Sequence, residues 1–163
     1  MVFNIGDKIV YPMHGAGVIE SIEEKEVLGE KKKYYIMCIP IDDMKVMIPI
    51  DLINDFGIRS IIGYNEFKET INVFKKINYN IMENWGKRYR ENMGKLRKGD
   101  ICGIAEVVKD LMFRDAKKGL SPGERKILDN AEQILYSELM LVTGQSLNEI
   151  QKIIKDAVSE QFS

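Results

Sequence analysis

Two different spacings of hydrophobic residues divide this chain, and the change between them falls near residues 57–64. Before it, Val, Ile and Tyr alternate with polar residues over four short runs, which is typical of β-strands. These runs cover residues 7–11, 17–27, 32–39 and 44–48. Several short antiparallel strands within about sixty residues predict a small SH3-like or Tudor-like β-barrel.

After Gly63 the apolar residues recur every three or four positions, which predicts helices. Good N-cap side chains mark five expected helix starts, at Asn65, Asn84, Asp100, Ser121 and Ser146. Glycines stand where helix C-termini are expected, at Gly99, Gly119 and Gly144. The predicted fold class is therefore α+β multi-domain, with a β-barrel over residues 1–62 and a compact all-α domain of about five helices over residues 63–163.

Composition excludes several classes of protein. Charged residues make up 30% of the chain and hydrophobic ones 45%, and no apolar run approaches the roughly 20 residues of a membrane span. The first residues have no signal-peptide pattern, so a cytoplasmic location is expected. Two distant cysteines and one histidine predict neither a disulfide nor a metal site, and no cofactor is expected.

The net charge of −1 conceals a basic central segment. Residues 61–126 carry 15 Lys and Arg against 9 Asp and Glu, whereas the segments on both sides are acidic overall. A confined basic region of this kind favours a localised contact with a polyanion over general attraction to one.

No combination of residues predicts an active site. His14 lies in the turn sequence PMHGAG, without an evident nucleophile or second base. Gly15, Ala16 and Gly17 lack the third glycine and the following helix of a dinucleotide fingerprint. We therefore expect a protein that is not an enzyme; an enzyme acting on nucleotides would need a polar pocket around His14.

The only tryptophan, Trp85, begins the basic stretch NWGKRYRENMGKLRKGD and allows two interpretations. Its spacing to Tyr89, Met93 and Leu96 is that of a helix stripe packed in the core. Trp85 also follows the expected N-cap, where a side chain can project past the end of the domain. An aromatic ring beside cations would then suit contact with nucleic acid.

Several motifs resemble those of the CarD family of bacterial transcription regulators, in its CdnL branch. They are FNIGDKIVYPMHGAGVIESIEEKEVLGEKKKYYIM, MKVMIP and GIRSII in the first part, and NWGKRYRENMGKLRKGD, IAEVVKDLMFRD and KGLSPGERKILDNAEQILYSEL in the second. The similarity extends from about residue 1 to residue 143. The tail from Ser146 to Ser163 matches only as a generic final helix.

This resemblance implies a non-catalytic regulator whose Tudor-like domain binds the RNA polymerase β subunit, largely along strand edges. The implied contacts are Lys25, Glu26, Val27, Lys45, Val46, Met47 and Ile48. Met47 stands where many family members have arginine, so apolar packing would replace an ion pair there. A polymerase-docking interaction module without a DNA wedge is the alternative.

The resemblance also implies that the helical domain binds promoter DNA in the minor groove at the upstream edge of the melted bubble, with little sequence specificity, and stabilises the open complex. The implied wedge is Trp85, and the implied backbone contacts are Lys87, Arg88, Arg90 and Arg125. A monomer is expected, associated with the nucleoid through RNA polymerase. Trp85 should then have one ring face near Tyr89 and the other free.

Overall fold

The computed structural model describes residues 2–76 and 84–159, beginning with a five-stranded antiparallel sheet. The strands follow the spatial order β4-β3-β2-β1-β5. Their bounds are β1 Lys8–Tyr11, β2 Gly15–Val27, β3 Glu30–Ile39, β4 Met44–Pro49 and β5 Arg59–Ser60, with a short 3₁₀ turn at Ile50–Leu52. The sequence pattern does not predict β5, because two residues show no periodicity.

The remaining described residues form five α-helices. Their bounds are α1 Tyr64–Lys75, α2 Trp85–Lys98, α3 Ile101–Lys118, α4 Pro122–Thr143 and α5 Leu147–Ser159. The predicted fold class, a small antiparallel β module followed by a compact all-α part, is confirmed. Residues 160–163 of the generic final helix lie outside the described residues.

Each part has its own hydrophobic core. Alternate residues of β3 enter the core of the sheet, where Tyr35, Met37 and Ile39 are buried with Ile19 of β2 and Ile48 of β4. The helical core joins the apolar stripes of α3 and α4, as the sequence predicts, and adds residues of α1 and α5. Burial of these stripes is the main force that holds the helices together.

Local capping explains most helix boundaries. At the starts of α2, α4 and α5, the predicted N-cap side chains of Asn84, Ser121 and Ser146 accept hydrogen bonds from backbone N–H groups three residues later. Positive φ angles at the ends of α2, α3 and α4 belong to Gly99, Gly119 and Gly144. The predicted start at Asn65 is wrong. The Glu66 carboxylate accepts a hydrogen bond from the Gly63 N–H, and α1 begins at Tyr64.

The turn between β1 and β2 packs directly on α4. The Ser137 hydroxyl accepts a 2.9 Å hydrogen bond from the Ala16 N–H, and Gln133 donates a 2.7 Å bond to the His14 carbonyl. A Cβ at Gly15, whose φ is +133°, would lie 2.9 Å from Ser137 Oγ. The PMHGAG motif therefore supplies the close contact between the sheet and the helices.

A buried carboxylate on α4 makes a second contact between the sheet and the helices. Glu138 is fully buried and accepts hydrogen bonds of 2.8 and 2.9 Å from the Arg59 guanidinium and of 2.9 Å from the Ile62 N–H. Arg59 also donates to the carbonyl of Gly99, where α2 ends. One arginine on β5 thus connects the sheet to both α2 and α4.

Substituting Glu138→Gln should lower the free energy of unfolding by about 2–3 kcal/mol, because Arg59 would lose its charged partner. The expected loss is smaller than the roughly 3–5 kcal/mol for a fully buried pair, since the Arg59 side chain is about one-third exposed. Urea unfolding followed by circular dichroism measures this loss. Glu69→Gln makes the same chemical change at an exposed position of α1 and is the control; an equal loss in both variants would contradict the expectation.

Candidate nucleic-acid interface

Trp85 is the first residue of α2, and its side chain is exposed. The residue is 51% exposed, and its ring stacks on that of Tyr89, with centroids 5.3 Å apart and planes inclined by 25°. Tyr89 itself packs against the helical core. Of the two interpretations of the tryptophan, the core position is wrong, and the ring lies at the edge of the helical part with one face on Tyr89.

The tryptophan joins the N-termini of two helices. Its indole Nε1–H donates a 3.2 Å hydrogen bond to the hydroxyl of Ser121, which is the N-cap of α4. Trp85 itself begins α2, after the N-cap Asn84. Helix N-termini carry partial positive charge and unpaired N–H groups. Two such ends therefore meet beside the exposed ring. The LSPGER motif marks the start of α4, but only the fold shows that this start lies beside Trp85.

Arg88, which is predicted to contact phosphate, does not lie on the surface. Arg88 is only 6% exposed and forms an ion pair with Glu124 of α4, with Nε–Oε2 and Nη2–Oε1 distances of 2.7 and 3.2 Å. Glu124 is equally inaccessible at 2% exposure. The pair ties the first turn of α2 to the first turn of α4, so the guanidinium is committed inside the protein.

The ion pair fixes the charge of Glu124. The hydrogen bond from Arg88 lowers the pKa of this carboxyl despite its burial, and the nearby charge of Arg114, with Nε 3.8 Å from Oε1, acts in the same direction. Glu124 is therefore ionised at neutral pH. Its carboxylate also accepts a hydrogen bond from the Ser121 hydroxyl.

The other predicted DNA contacts lie on the surface. Lys87 and Arg90 are exposed on α2, close in sequence to Trp85. Arg125 is also exposed, but its guanidinium bonds to the Asp115 carboxylate at 2.7 Å. The basic segment has further exposed cations in Arg97, Lys98, Lys117, Lys118 and Lys126.

The residues predicted to bind polymerase follow one edge of the sheet. Strand β4 ends the strand order and, among the described residues, pairs only with β3. Register places Lys45 and Met47 on the outer face of the sheet, where Lys25 Nζ lies 3.8 Å from the Met47 sulfur and Lys45 pairs with Glu20. The contact between Lys25 and Met47 brings together two residues from separate predicted segments.

The remaining residues of the two segments differ in accessibility. Glu26 and Val27 are exposed near the tip of the β2–β3 hairpin. Val46 is half-buried, and Ile48 is fully buried in the core of the sheet. Strand alternation turns the Ile48 side chain inward, so the predicted contact there would use the backbone of the β4 edge.

His14 closes a turn. Its Nδ1 lies 3.1 Å from the Pro12 carbonyl oxygen, and its ring stacks on Tyr11 at 4.1 Å. A groove of about 620 Å³ lies away from His14, between α1 and the α4–α5 turn. Within residues 2–76 and 84–159, no three His, Cys, Asp or Glu side chains are grouped to hold a metal. No helix in these ranges is long and apolar enough to cross a membrane.

The fold is that of a two-part α+β protein with an exposed tryptophan on its helical part. Sequence comparison identifies its family. The family model described as "CarD-like/TRCF RID domain" matches residues 3–62, and the model described as "CarD, C-terminal domain" matches residues 69–155. The chain therefore belongs to the CarD family, as its motifs predict.

The chain is similar to two known proteins. "Putative transcription factor YdeB" of Bacillus subtilis (strain 168) is 43% identical over 150 residues, which cover 92% of this chain and 98% of that protein. The solution NMR structure of the 72-residue N-terminal domain of Myxococcus xanthus CarD is 33% identical. It covers 36% of this chain and 77% of its own, with a TM-score of 0.31.

Substituting Glu124→Gln should lower the free energy of unfolding by about 3 kcal/mol at pH 7, because Arg88 would remain buried without its anionic partner. The folded-state pKa of Glu124 lies below its unfolded value. The ion pair therefore stabilises fully above the ordinary glutamate pKa of about 4.3, and this contribution is lost as pH falls through the folded-state pKa.

The difference between wild type and E124Q should consequently shrink in acid. Urea titrations between pH 7 and pH 2 measure it, with the exposed-site variant E69Q as control. A difference that stays constant over this range would show that the ionised carboxylate is not the source of the stabilisation.

Proposed function

We propose that this protein is a non-catalytic regulator of transcription initiation that binds RNA polymerase and promoter DNA together. Residues 1–62 would bind the polymerase β subunit, and residues 63–163 would bind DNA at the upstream edge of the bubble. Family membership supports the general role. The observation that carries the DNA contact is the half-exposed Trp85 ring among cations, at the meeting point of two helix N-termini.

The DNA contact combines a wedge with charge neutralisation. Unstacking an intact base step costs on the order of a few kcal/mol, so an inserted ring is favoured where the step is already weakened, as at a bubble edge. Binding there raises the open-complex population by the difference in affinity between open and closed DNA. A tenfold change requires only about 1.4 kcal/mol, which lies within the value of a single base–aromatic stack.

Phosphate contacts would come from groups that the fold leaves accessible. Lys87 and Arg90 supply charge beside the ring, and the N-terminal N–H groups of α2 and α4 add a second source of anion attraction. Arg125 would have to exchange its bond with Asp115 for a phosphate. Arg88 would act indirectly, because its buried ion pair with Glu124 holds α2 and α4 together below this surface. None of these groups reads base edges, which accords with action at many promoters.

The polymerase contact would use the β4 edge and the adjoining outer face. An edge strand offers unpaired backbone groups to a partner strand, as in β-augmentation. Met47 lies on the outer face with Lys25 beside it, and both are accessible. An apolar contact by Met47, flanked by the cations Lys25 and Lys45, would take the place of an arginine contact.

Substituting Trp85→Ala should shorten the lifetime of the open promoter complex by about tenfold, since base–aromatic stacking is worth about 1–3 kcal/mol. Dissociation of preformed complexes of RNA polymerase, promoter DNA and this protein, started by a polyanion competitor, measures that lifetime. Trp85→Phe should keep part of the effect because it retains an apolar ring.

Tyr64→Ala is the matched control. Tyr64 is an exposed aromatic residue of the helical part that stacks on Phe67 and lies beside Lys68. If W85A binds polymerase and folds normally but leaves the lifetime unchanged, the wedge is wrong and the protein is a polymerase-docking module alone.

Substituting Met47→Asp should weaken binding to RNA polymerase by about tenfold or more, because a carboxylate would be desolvated where an apolar side chain packs. Met47→Leu, which conserves apolar volume, should bind nearly as well as wild type. Surface plasmon resonance with immobilised polymerase measures both. Ile5→Asp adds the same charge at another exposed apolar position of the β part; equal weakening by I5D would refute a specific contact at Met47.

A further inference from the structure

The hydroxyl of Ser121 has all its hydrogen-bonding capacity occupied. It accepts 3.2 Å hydrogen bonds from the Trp85 indole N–H and from the Glu124 backbone N–H. It donates its own proton to Glu124 Oε1 at 3.4 Å. A serine hydroxyl has one proton and two lone pairs, so these three bonds define its orientation completely.

The bonds continue into the buried ion pair. Glu124 cannot turn away from Ser121 freely, because Arg88 holds its carboxylate through two hydrogen bonds. Tyr89 covers one face of the Trp85 ring and lies in turn against Gly123, whose Cβ position would be 3.7 Å from the Tyr89 ring. The indole is thus held at its N–H by Ser121 and across one face by Tyr89.

We propose that Ser121 is a positioning residue for Trp85. Its hydroxyl, oriented by Glu124, sets the plane of the indole and occupies the ring's only polar hydrogen. This inference rests on the proposed DNA wedge. The minor-groove edges of A·T and T·A pairs offer acceptors to a free donor. With its N–H bonded to Ser121, Trp85 offers DNA an apolar ring without a donor, and the contact depends on ring shape and stacking rather than on base identity.

The first test measures the indole N–H directly and requires no DNA. Trp85 is the only tryptophan, so its indole gives a single resonance in a ¹H–¹⁵N spectrum. Ser121→Ala should accelerate solvent exchange of this proton by about two- to tenfold, the factor expected for the loss of one hydrogen bond. Ser121→Thr, which keeps a hydroxyl, should restore slow exchange.

Ser146→Ala is the control for helix capping. Ser146 is the N-cap of α5 and, like Ser121, accepts a hydrogen bond from the N–H three residues later, so its removal also costs a cap. Unchanged exchange in S121A, or equal acceleration in S146A, would overturn the proposal.

The second test is a double-mutant cycle on the open-complex lifetime, with S121A and W85F. S121A should shorten the lifetime about threefold when Trp85 is present, the effect expected for one hydrogen bond. It should have no further effect in the W85F background, which lacks the indole N–H. Additive losses would overturn the positioning role.

The two tests separate this inference from the proposed function. If W85A does not change the open-complex lifetime, the wedge fails, while altered indole exchange in S121A would still establish the contact that fixes the ring. If W85A shortens the lifetime and S121A changes neither exchange nor lifetime, the wedge stands and the positioning role of Ser121 fails.

Discussion

The buried ion pair between Arg88 and Glu124 is the interaction on which the tryptophan surface depends. It joins the first turns of α2 and α4 and sets their N-termini side by side. Compared with apolar residues of similar size, a buried pair contributes little net stability, yet loss of one partner is costly. Its structural effect is to fix a geometry: Ser121 and Trp85 lie where they do because Glu124 has one orientation.

Features that depend on neighbouring residues could be predicted from the sequence. The caps Asn84 and Ser121 and the glycine at position 99 each satisfy backbone groups within their own turn, so short motifs are sufficient to place them. For Trp85 the sequence allows both positions, because its place after an N-cap favours exposure and its helical spacing favours the core. Alternation along β4 likewise contains the information that Ile48 faces the core, although the prediction from family resemblance included it as a contact.

Features that depend on partners distant in sequence could not be predicted. The buried residues of α2 are Arg88 and Asn92 as well as Leu96, whereas Tyr89 and Met93 of the apolar stripe are only partly buried. Hydrophobic periodicity therefore does not show which residues of this helix lie deepest. A buried arginine is stable only with an anionic partner, and that partner lies 36 residues away in sequence. Strand β5 and the Arg59–Glu138 contact pose the same problem, since neither is visible until β1 and α4 are already placed.

Among the described residues, both buried carboxylates lie on α4, where a fixed length of helix separates them. From Glu124 to Glu138 the helix rises by about 21 Å in slightly less than four turns, so both side chains leave it on nearly the same side. One end contacts the tryptophan through Ser121, and the other contacts Arg59 of the sheet. If the sheet binds polymerase as proposed, this length would set how far the ring reaches from the docked sheet. Adding or deleting residues within α4 would therefore change both the distance and the direction of that reach.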